Sequence, residues 1–308
     1  MKIIFMGTPS FSATILKKLN NKHDVLAVVT KEDKKRSRGK GLDFSEVKKT
    51  AVILGIDRIF QPNNMRDEIF LDDIRNLNPD VIVTAAYGKI VPKALLDIPK
   101  FMCVNVHASL LPKYRGASPI QAAILNGDRV TGITVIKMDE GMDTGNMLLK
   151  KEIEILDGET SAELFERLAV LGADALLETL DLIESGNVSE KIQDNSLATY
   201  TKMISKEEGH INFNDKALDI VNRVRAVDSY FYLNEEKIKL LRARVFKCEE
   251  TFDDRTCGCV VIADKRGFVI KASDGLVAVE ILQVPGKKPF DCTAYINGYR
   301  PAVGSILK

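Results

Sequence analysis

The chain has 308 residues, with 44 Lys+Arg against 43 Asp+Glu, a net charge of +1, and 45% hydrophobic and 28% charged residues. That balance excludes a globally basic, histone-like nucleic-acid binder, and the length fits about two domains. No run reaches the roughly 18 apolar residues of a membrane helix, and the apolar stretch in MKIIFMGTPSF is too short for a signal peptide, so no membrane association is expected.

In chain order, short Val- and Ile-rich runs alternate with longer amphipathic segments over the first 185 or so residues. Strands are expected at 2–6, 25–30, 81–85, 102–106, 133–138 and 147–153, and helices at 11–19, 44–54, 66–77, 119–125 and 161–184. This is the pattern of a doubly wound, Rossmann-like α/β domain with a parallel sheet. From about 188 to 205 the periodicity fades into VSEKIQDNSLATYTKMIS, which reads as a connector. One helix at 216–227 and β-type runs at 238–246, 259–262, 267–270 and 276–284 then suggest a small β-barrel or sandwich. The expected organisation is a catalytic domain at 1–188, a linker at 189–207 and a small domain at 208–308.

Five scattered cysteines (Cys103, Cys248, Cys257, Cys259, Cys292) make no disulfide framework, which fits a reducing cytoplasm. Cys257 and Cys259 form the one close pair. With only His23, His107 and His210 in the chain, no zinc site is expected there. Charge is unevenly divided: residues 209–308 hold 16 basic and 13 acidic residues, and the remainder 28 and 30. Segment 31–40, KEDKKRSRGK, has six basic and two acidic residues and follows a parallel-strand candidate. It reads either as a solvated loop or as a phosphate-contacting loop at the ligand-binding edge of the sheet.

The first turn, Gly7-Thr8-Pro9-Ser10-Phe11, has one glycine where a dinucleotide fingerprint has three, so a nicotinamide enzyme is disfavoured. A tight turn with a serine cap explains it as well as any ligand role does. In NVHASLLPKYRG, Asn105 and His107 are two apart at the end of a strand and share one face, opposite Val104 and Val106. Asp143, in the glycine-flanked loop DEGMDTG after the next strand, is placed to reach His107. An Asn amide and an imidazole supply donors for a developing oxyanion, and a nearby carboxylate relays the proton shed by an attacking amine. No Ser or Cys sits in a nucleophile elbow, so direct acyl transfer to an amine is favoured over a covalent acyl-enzyme. The competing reading gives all three residues structural roles in caps and turns.

NVHASLLPKYRGASPIQAAILNG followed by TGITVIKMDEGMDTG resembles the signature of the folate-dependent formyltransferases. MGTPSFS, VTAAYGKIVPKALLDIP and VPGKKPFDCTAYINGYRPAVG extend the similarity end to end, toward the methionyl-tRNA formyltransferase branch of that superfamily. The resemblance implies a 10-formyltetrahydrofolate donor, initiator methionyl-tRNA as acceptor, no metal, a cytoplasmic location and a monomer. It assigns Asn105, His107 and Asp143 to catalysis, and Ser109, Leu110, Leu111 and Pro112, with Ala86, Tyr87 and Gly88, to the folate cleft. It implies tRNA contacts from Arg36, Arg38 and Lys40 in the basic loop. The C-terminal domain resembles an OB-like barrel, from which Lys287 and Lys288, and with them Lys237, Lys239, Arg242 and Arg244, would hold the tRNA backbone.

Two departures bear on tRNA docking. The basic loop lacks the family's proline-rich flanks, and VDSYFYL replaces its Pro-Trp-Pro, leaving Tyr230, Phe231 and Tyr232 as the aromatics at that place. Two alternatives stand beside the main reading. One is a formyltransferase acting on a nucleotide-linked amino sugar or on water, which would need neither the basic loop nor a basic second domain. The other is a non-catalytic RNA-binding relative, which predicts a broken trio.

Overall fold

The computed structural model describes residues 1–35 and 41–308. In chain order the principal elements are β1 (Lys2–Gly7), α1 (Ser10–Asn20), β2 (Asp24–Val29), α2 (Glu46–Ile53), β3 (Ile59–Phe60), α3 (Glu68–Asn76), β4 (Val81–Ala85), β5 (Met102–His107), α4 (Pro119–Leu125), β6 (Val130–Lys137), β7 (Met147–Glu154) and α5 (Ser161–Glu184). They are followed by α6 (Ala217–Ala226), β8 (Ser229–Leu233), β9 (Glu236–Phe246), β10 (Val260–Asp264), β11 (Gly267–Lys271), β12 (Leu276–Gln283), β13 (Phe290–Asp291) and α7 (Cys292–Tyr299). Two compact units emerge: Met1–Pro119, Val130–Glu154 and Leu164–Lys202 form the first, and Ile120–Arg129, Ile155–Glu163 and Met203–Lys308 the second.

In the first unit a seven-stranded sheet has the order β7-β6-β5-β4-β1-β2-β3. The five strands from β5 to β3 are parallel. Ile3, Ile4, Phe5 and Met6 of β1 are all fully buried, as befits a central strand covered on both faces. The carboxyl ends of β1, β4 and β5 therefore emerge side by side. The sheet is not parallel throughout, because β6 runs antiparallel to β5, and β7 antiparallel to β6. Apolar runs reveal a strand but not its direction. Behind β5, Gly172 of α5 lets the helix approach closely: a Cβ there would stand 3.1 Å from Val106 Cγ1. Val106 thus faces a helix, and Asn105 and His107 are left on the opposite face.

The polar segment read as a connector is hydrogen-bonded into the first unit as far as Lys202. Lys191 exchanges backbone hydrogen bonds with Met147 (2.8 and 2.9 Å), and Tyr200–Thr201 pairs in parallel with Arg115–Gly116. Lacking an apolar face, it attaches through backbone and amide groups that periodicity does not register.

The second unit is an antiparallel sheet, β8-β9-β12-β11-β10, with β13 paired to β12. Phe231, Leu240, Phe268, Ile270, Val277 and Val279 of the sheet pack with Ile220 and Val224 of α6 and Tyr295 of α7. Strand β8 and helix α7 were not anticipated from the sequence. The outer strands β8 and β10 are bridged by the last residues of the chain. Lys308 exchanges hydrogen bonds with Tyr232 (2.6 and 2.9 Å), while the Ser305 carbonyl accepts from Val260 (2.8 Å) and the Leu307 amide donates to Gly258 (2.8 Å).

Candidate active site

The site grows from the in-register pairing of β4 and β5, which sets Thr84 beside Asn105. Buried Thr84 donates its hydroxyl hydrogen to Asn105 Oδ1 at 2.8 Å. With the carbonyl oxygen taken, Asn105 must present its amino group on the other side, where Nδ2 donates to Asp143 Oδ1 at 3.2 Å. His107 is 6% exposed. Its Nε2 lies 2.9 Å from the Tyr114 carbonyl, which can only accept, so Nε2 carries a hydrogen. Nδ1 is the nitrogen left to gain or lose a proton, and it faces Asp143 Oδ1 at 3.5 Å.

Because β6 is antiparallel to β5, the loop carrying Asp143 leaves the sheet at the end away from His107 and reaches the site by folding back. Its course is tightly held. Asp139 Oδ1 accepts from the Gly141 amide (3.0 Å) and the Thr144 hydroxyl (2.7 Å), and a Cβ on Gly145 would lie 1.8 Å from the Lys137 carbonyl. Asp143 itself has φ +55°, a conformation costly for a residue with a Cβ. Surrounding bonds hold it there: Oδ2 accepts the Gly116 amide at 2.8 Å, and its carbonyl accepts Gln193 Nε2 at 2.8 Å. Gly116 is required at φ +108°, where a Cβ would come 2.2 Å from the Thr201 carbonyl.

The residues read as a folate cleft divide in two. Ser109 and Leu111 are fully buried. Ser109 donates to the Lys113 carbonyl (2.6 Å), and Thr134 Oγ1 meets both the Ser109 carbonyl (2.7 Å) and the Leu111 amide (3.1 Å). They shape the turn, while Leu110 and Pro112 remain partly accessible. On the neighbouring turn Ala86 (φ +44°) and Gly88 (φ +75°) are exposed, whereas Tyr87 points inward with its hydroxyl 3.0 Å from Met65 Sδ. Burial pushes the Tyr87 phenol up to about 12, the Glu32 charge adding to the shift, and so takes it out of proton transfer. Gly7 lies tight between the first turn of α1 and the end of β4, since a Cβ on it would lie 2.5 Å from Ser12 Cβ and 3.0 Å from the Ala85 carbonyl. The expected serine cap is absent: Pro9 occupies the N-cap of α1 without a side-chain bond, and Ser12 Oγ instead donates to the Ala85 carbonyl at 2.5 Å. Exposed backbone on one turn and partly exposed Leu110 and Pro112 on the next suit a flat heterocycle with an amide-like edge.

Of the residues read as tRNA contacts, Arg36, Arg38 and Lys40 lie outside the described residues. The strands flanking them are Lys34–Lys35 and Leu42–Asp43, paired antiparallel. The loop's foot is anchored by Asp33, which accepts from Lys48 Nζ at 2.5 Å and from Gln61 at 2.9 Å. Lys48 holds the Asp33 carboxyl below the usual carboxylate range, and Gln61 assists. Lys287 and Lys288 are exposed in the turn between β12 and β13. Thr84, Tyr114, Gly116 and Gln193 are missing from the sequence reading, because none belongs to a residue type or spacing that announces chemistry. The RG that follows the His107 block is the one local sign of a turn there.

Residues 1–180 match the formyl transferase family. The chain belongs to that family. Residues 203–300 of this formyltransferase match its C-terminal domain family. Similar full-length relatives are named methionyl-tRNA formyltransferase: that of Clostridioides difficile is 40% identical over 312 residues, covering 100% of each chain. That of Acetivibrio thermocellus is 42% identical over 312 residues, covering 100% of this chain and 99% of the relative. Among solved structures, a sugar 3N-formyl transferase in the presence of dTDP and 5-N-formyl-THF has a TM-score of 0.68 at 22% identity, covering 94% of this chain and 99% of the other. An N-formyltransferase from Helicobacter canadensis in complex with folinic acid and dTDP-3-aminofucose has a TM-score of 0.68 at 19% identity, covering 91% and 98%. These two show the fold that the formyltransferase shares.

Proposed function

We propose that this formyltransferase transfers the formyl group of 10-formyltetrahydrofolate to the α-amino group of methionyl-initiator tRNA. Similarity of about 40% over the whole length to relatives that bear the name methionyl-tRNA formyltransferase carries the choice of acceptor. The folate, when bound, supplies a formyl group on nitrogen. The exposed backbone of Ala86 and Gly88 and the side chains of Leu110 and Pro112 would hold it, with Tyr87, Ser109 and Leu111 setting the shape of their turns.

Asn105 contributes a fixed donor. Thr84 holds its carbonyl oxygen and Asp143 takes one Nδ2 hydrogen, which leaves the second for an acyl oxygen gaining negative charge. Tyr114 commits Nε2 of His107, so proton traffic runs through Nδ1 and Asp143 Oδ1. The attacking amine must be neutral, and esterifying the methionine carboxyl lowers its amine pKa below the value of about 7.7 to 8.0 for a chain terminus, which fits work near neutral pH. Residues 1–188 perform the transfer. The domain at 208–308, with Lys287 and Lys288, and the loop with Arg36, Arg38 and Lys40 hold RNA phosphates, the protein acting as a cytoplasmic monomer.

The test is incubation with 10-formyltetrahydrofolate and methionyl-initiator tRNA, beside uncharged tRNA and a nucleotide-linked amino sugar. Formyl-methionyl-tRNA is the expected product, and formylation of the sugar alone overturns the assignment.

A further inference from the structure

Arg115 is 1% exposed, and burying a guanidinium without a counter-charge costs stability. Among the described residues its side-chain hydrogen-bond acceptors are all uncharged. Gln193 Oε1 receives Nε at 3.2 Å and Nη2 at 2.8 Å, Asn195 Oδ1 receives Nη2 at 2.8 Å, and the Tyr200 hydroxyl receives Nη1 at 3.1 Å. All three acceptors lie in the polar segment that follows α5. Gln193, 5% exposed, turns its amino group the other way, onto the carbonyls of Asp143 and Gly145, each at 2.8 Å. Arg115 is thus fixed to one end of a buried amide whose other end grips the loop of the candidate catalytic acid on both sides of Thr144. A cation on Oε1 polarises the amide and strengthens what Nε2 donates. The next residue, Gly116, gives its amide hydrogen to Asp143 Oδ2. The Arg115-Gly116 pair therefore holds Asp143 twice, through Gln193 from behind and directly on the carboxylate.

We propose that Arg115 and Gln193 are positioning residues for Asp143, and that they hold it in its left-handed conformation with Oδ1 between Asn105 and His107. The inference rests on the catalytic role assigned to Asp143 under the proposed function. A purely structural role predicts that any substitution which keeps Arg115 paired is silent, and Gln193→Glu separates the two possibilities. Glutamate has the same shape and pairs Arg115 with a carboxylate, yet it has no hydrogen to donate and sets its oxygen against the Asp143 and Gly145 carbonyls.

For Gln193→Glu the expected result is a fall in kcat of at least tenfold, with KM for folate and for tRNA within threefold of wild type and a melting temperature not lowered by more than a few degrees. Arg115→Lys should lose less activity than Arg115→Met. A second readout needs no turnover: hydrogen exchange at the Gly116 amide in the full chain should quicken at least tenfold in Gln193→Glu, while amides of β4 and β5 keep wild-type protection. Gln193→Glu within twofold of wild type in kcat, or with unchanged Gly116 exchange, overturns the positioning role. A wild type unable to formylate methionyl-tRNA counts against the acceptor instead, and leaves the exchange experiment to decide the positioning.

Discussion

Thr84→Val removes one hydroxyl and nearly preserves volume, so its effect isolates the orientation of the Asn105 amide. Thr84 is 3% exposed, and its single hydrogen has three acceptors in reach: Asn105 Oδ1 at 2.8 Å, Met138 Sδ at 3.2 Å and the Val104 carbonyl at 3.3 Å. The amide oxygen is the nearest of these and a stronger acceptor than a thioether sulfur. Losing a net hydrogen bond costs about 1 to 1.5 kcal/mol. The full penalty of an orphaned acceptor does not apply, because Asn105 is only half-buried and water can replace the hydroxyl. The Asp143 carboxylate also resists an amide flip from the other side, since a flip would bring Oδ1 against it. At 1.36 kcal/mol per decade, kcat should fall about 5- to 13-fold. KM values should hold, and the melting temperature should drop by only a few degrees. Single-turnover formyl transfer to methionyl-tRNA at saturating folate measures the first, and thermal unfolding the last. A variant within twofold of wild type would refute the idea that Thr84 sets the amide.

His107→Ala should abolish transfer, on the order of a thousandfold or more in kcat, as general acid–base and electrostatic contributions are lost together. Folate binding measured by fluorescence titration should persist, and near-normal turnover would disprove the mechanism. Lys287→Ala with Lys288→Ala should weaken tRNA binding and flatten the slope of log affinity against log salt by about one unit for each phosphate no longer neutralised; an unchanged slope removes both lysines from the interface. Asp33→Asn should be less stable than wild type at pH 7. The folded-state pKa of Asp33 is depressed, so its contribution is present above the unfolded value of about 3.9 and is lost as pH falls through the folded value. Melting curves of the two proteins should converge on acidification, and a constant gap would show that the ion pair is not the cause.

What the sequence makes legible here follows what repeats. Helix α5 and strand β4 have the bounds expected from it because one repeats leucines over 24 residues and the other is a compact apolar run between turns. Asn105 and His107 share a face through strand alternation alone. The direction of β6 is invisible to alternation, and the return path of the Asp143 loop is invisible with it. Gln193 sits in a stretch without period and works through two ends of one amide, a role defined only by partners 48 to 78 positions away. Strand β8 is SYFYL, where alternation is masked by polar-tipped aromatics, and α7 carries Asn297-Gly298, a turn signal, and the β-branched Thr293 and Ile296, which favour strands over helices.

The last residues of the chain bear on the two outer margins of the second unit's sheet. An outer strand with open amides and carbonyls is a template for another strand, and a twisted antiparallel sheet offers two such margins. Here Tyr232 on one margin and Gly258 and Val260 on the other are all engaged by residues 304–308. Leu307 is also buried in the core of this unit, so the same few positions close both margins and pin the closure to the apolar interior, filling the places at which a foreign strand would begin to pair.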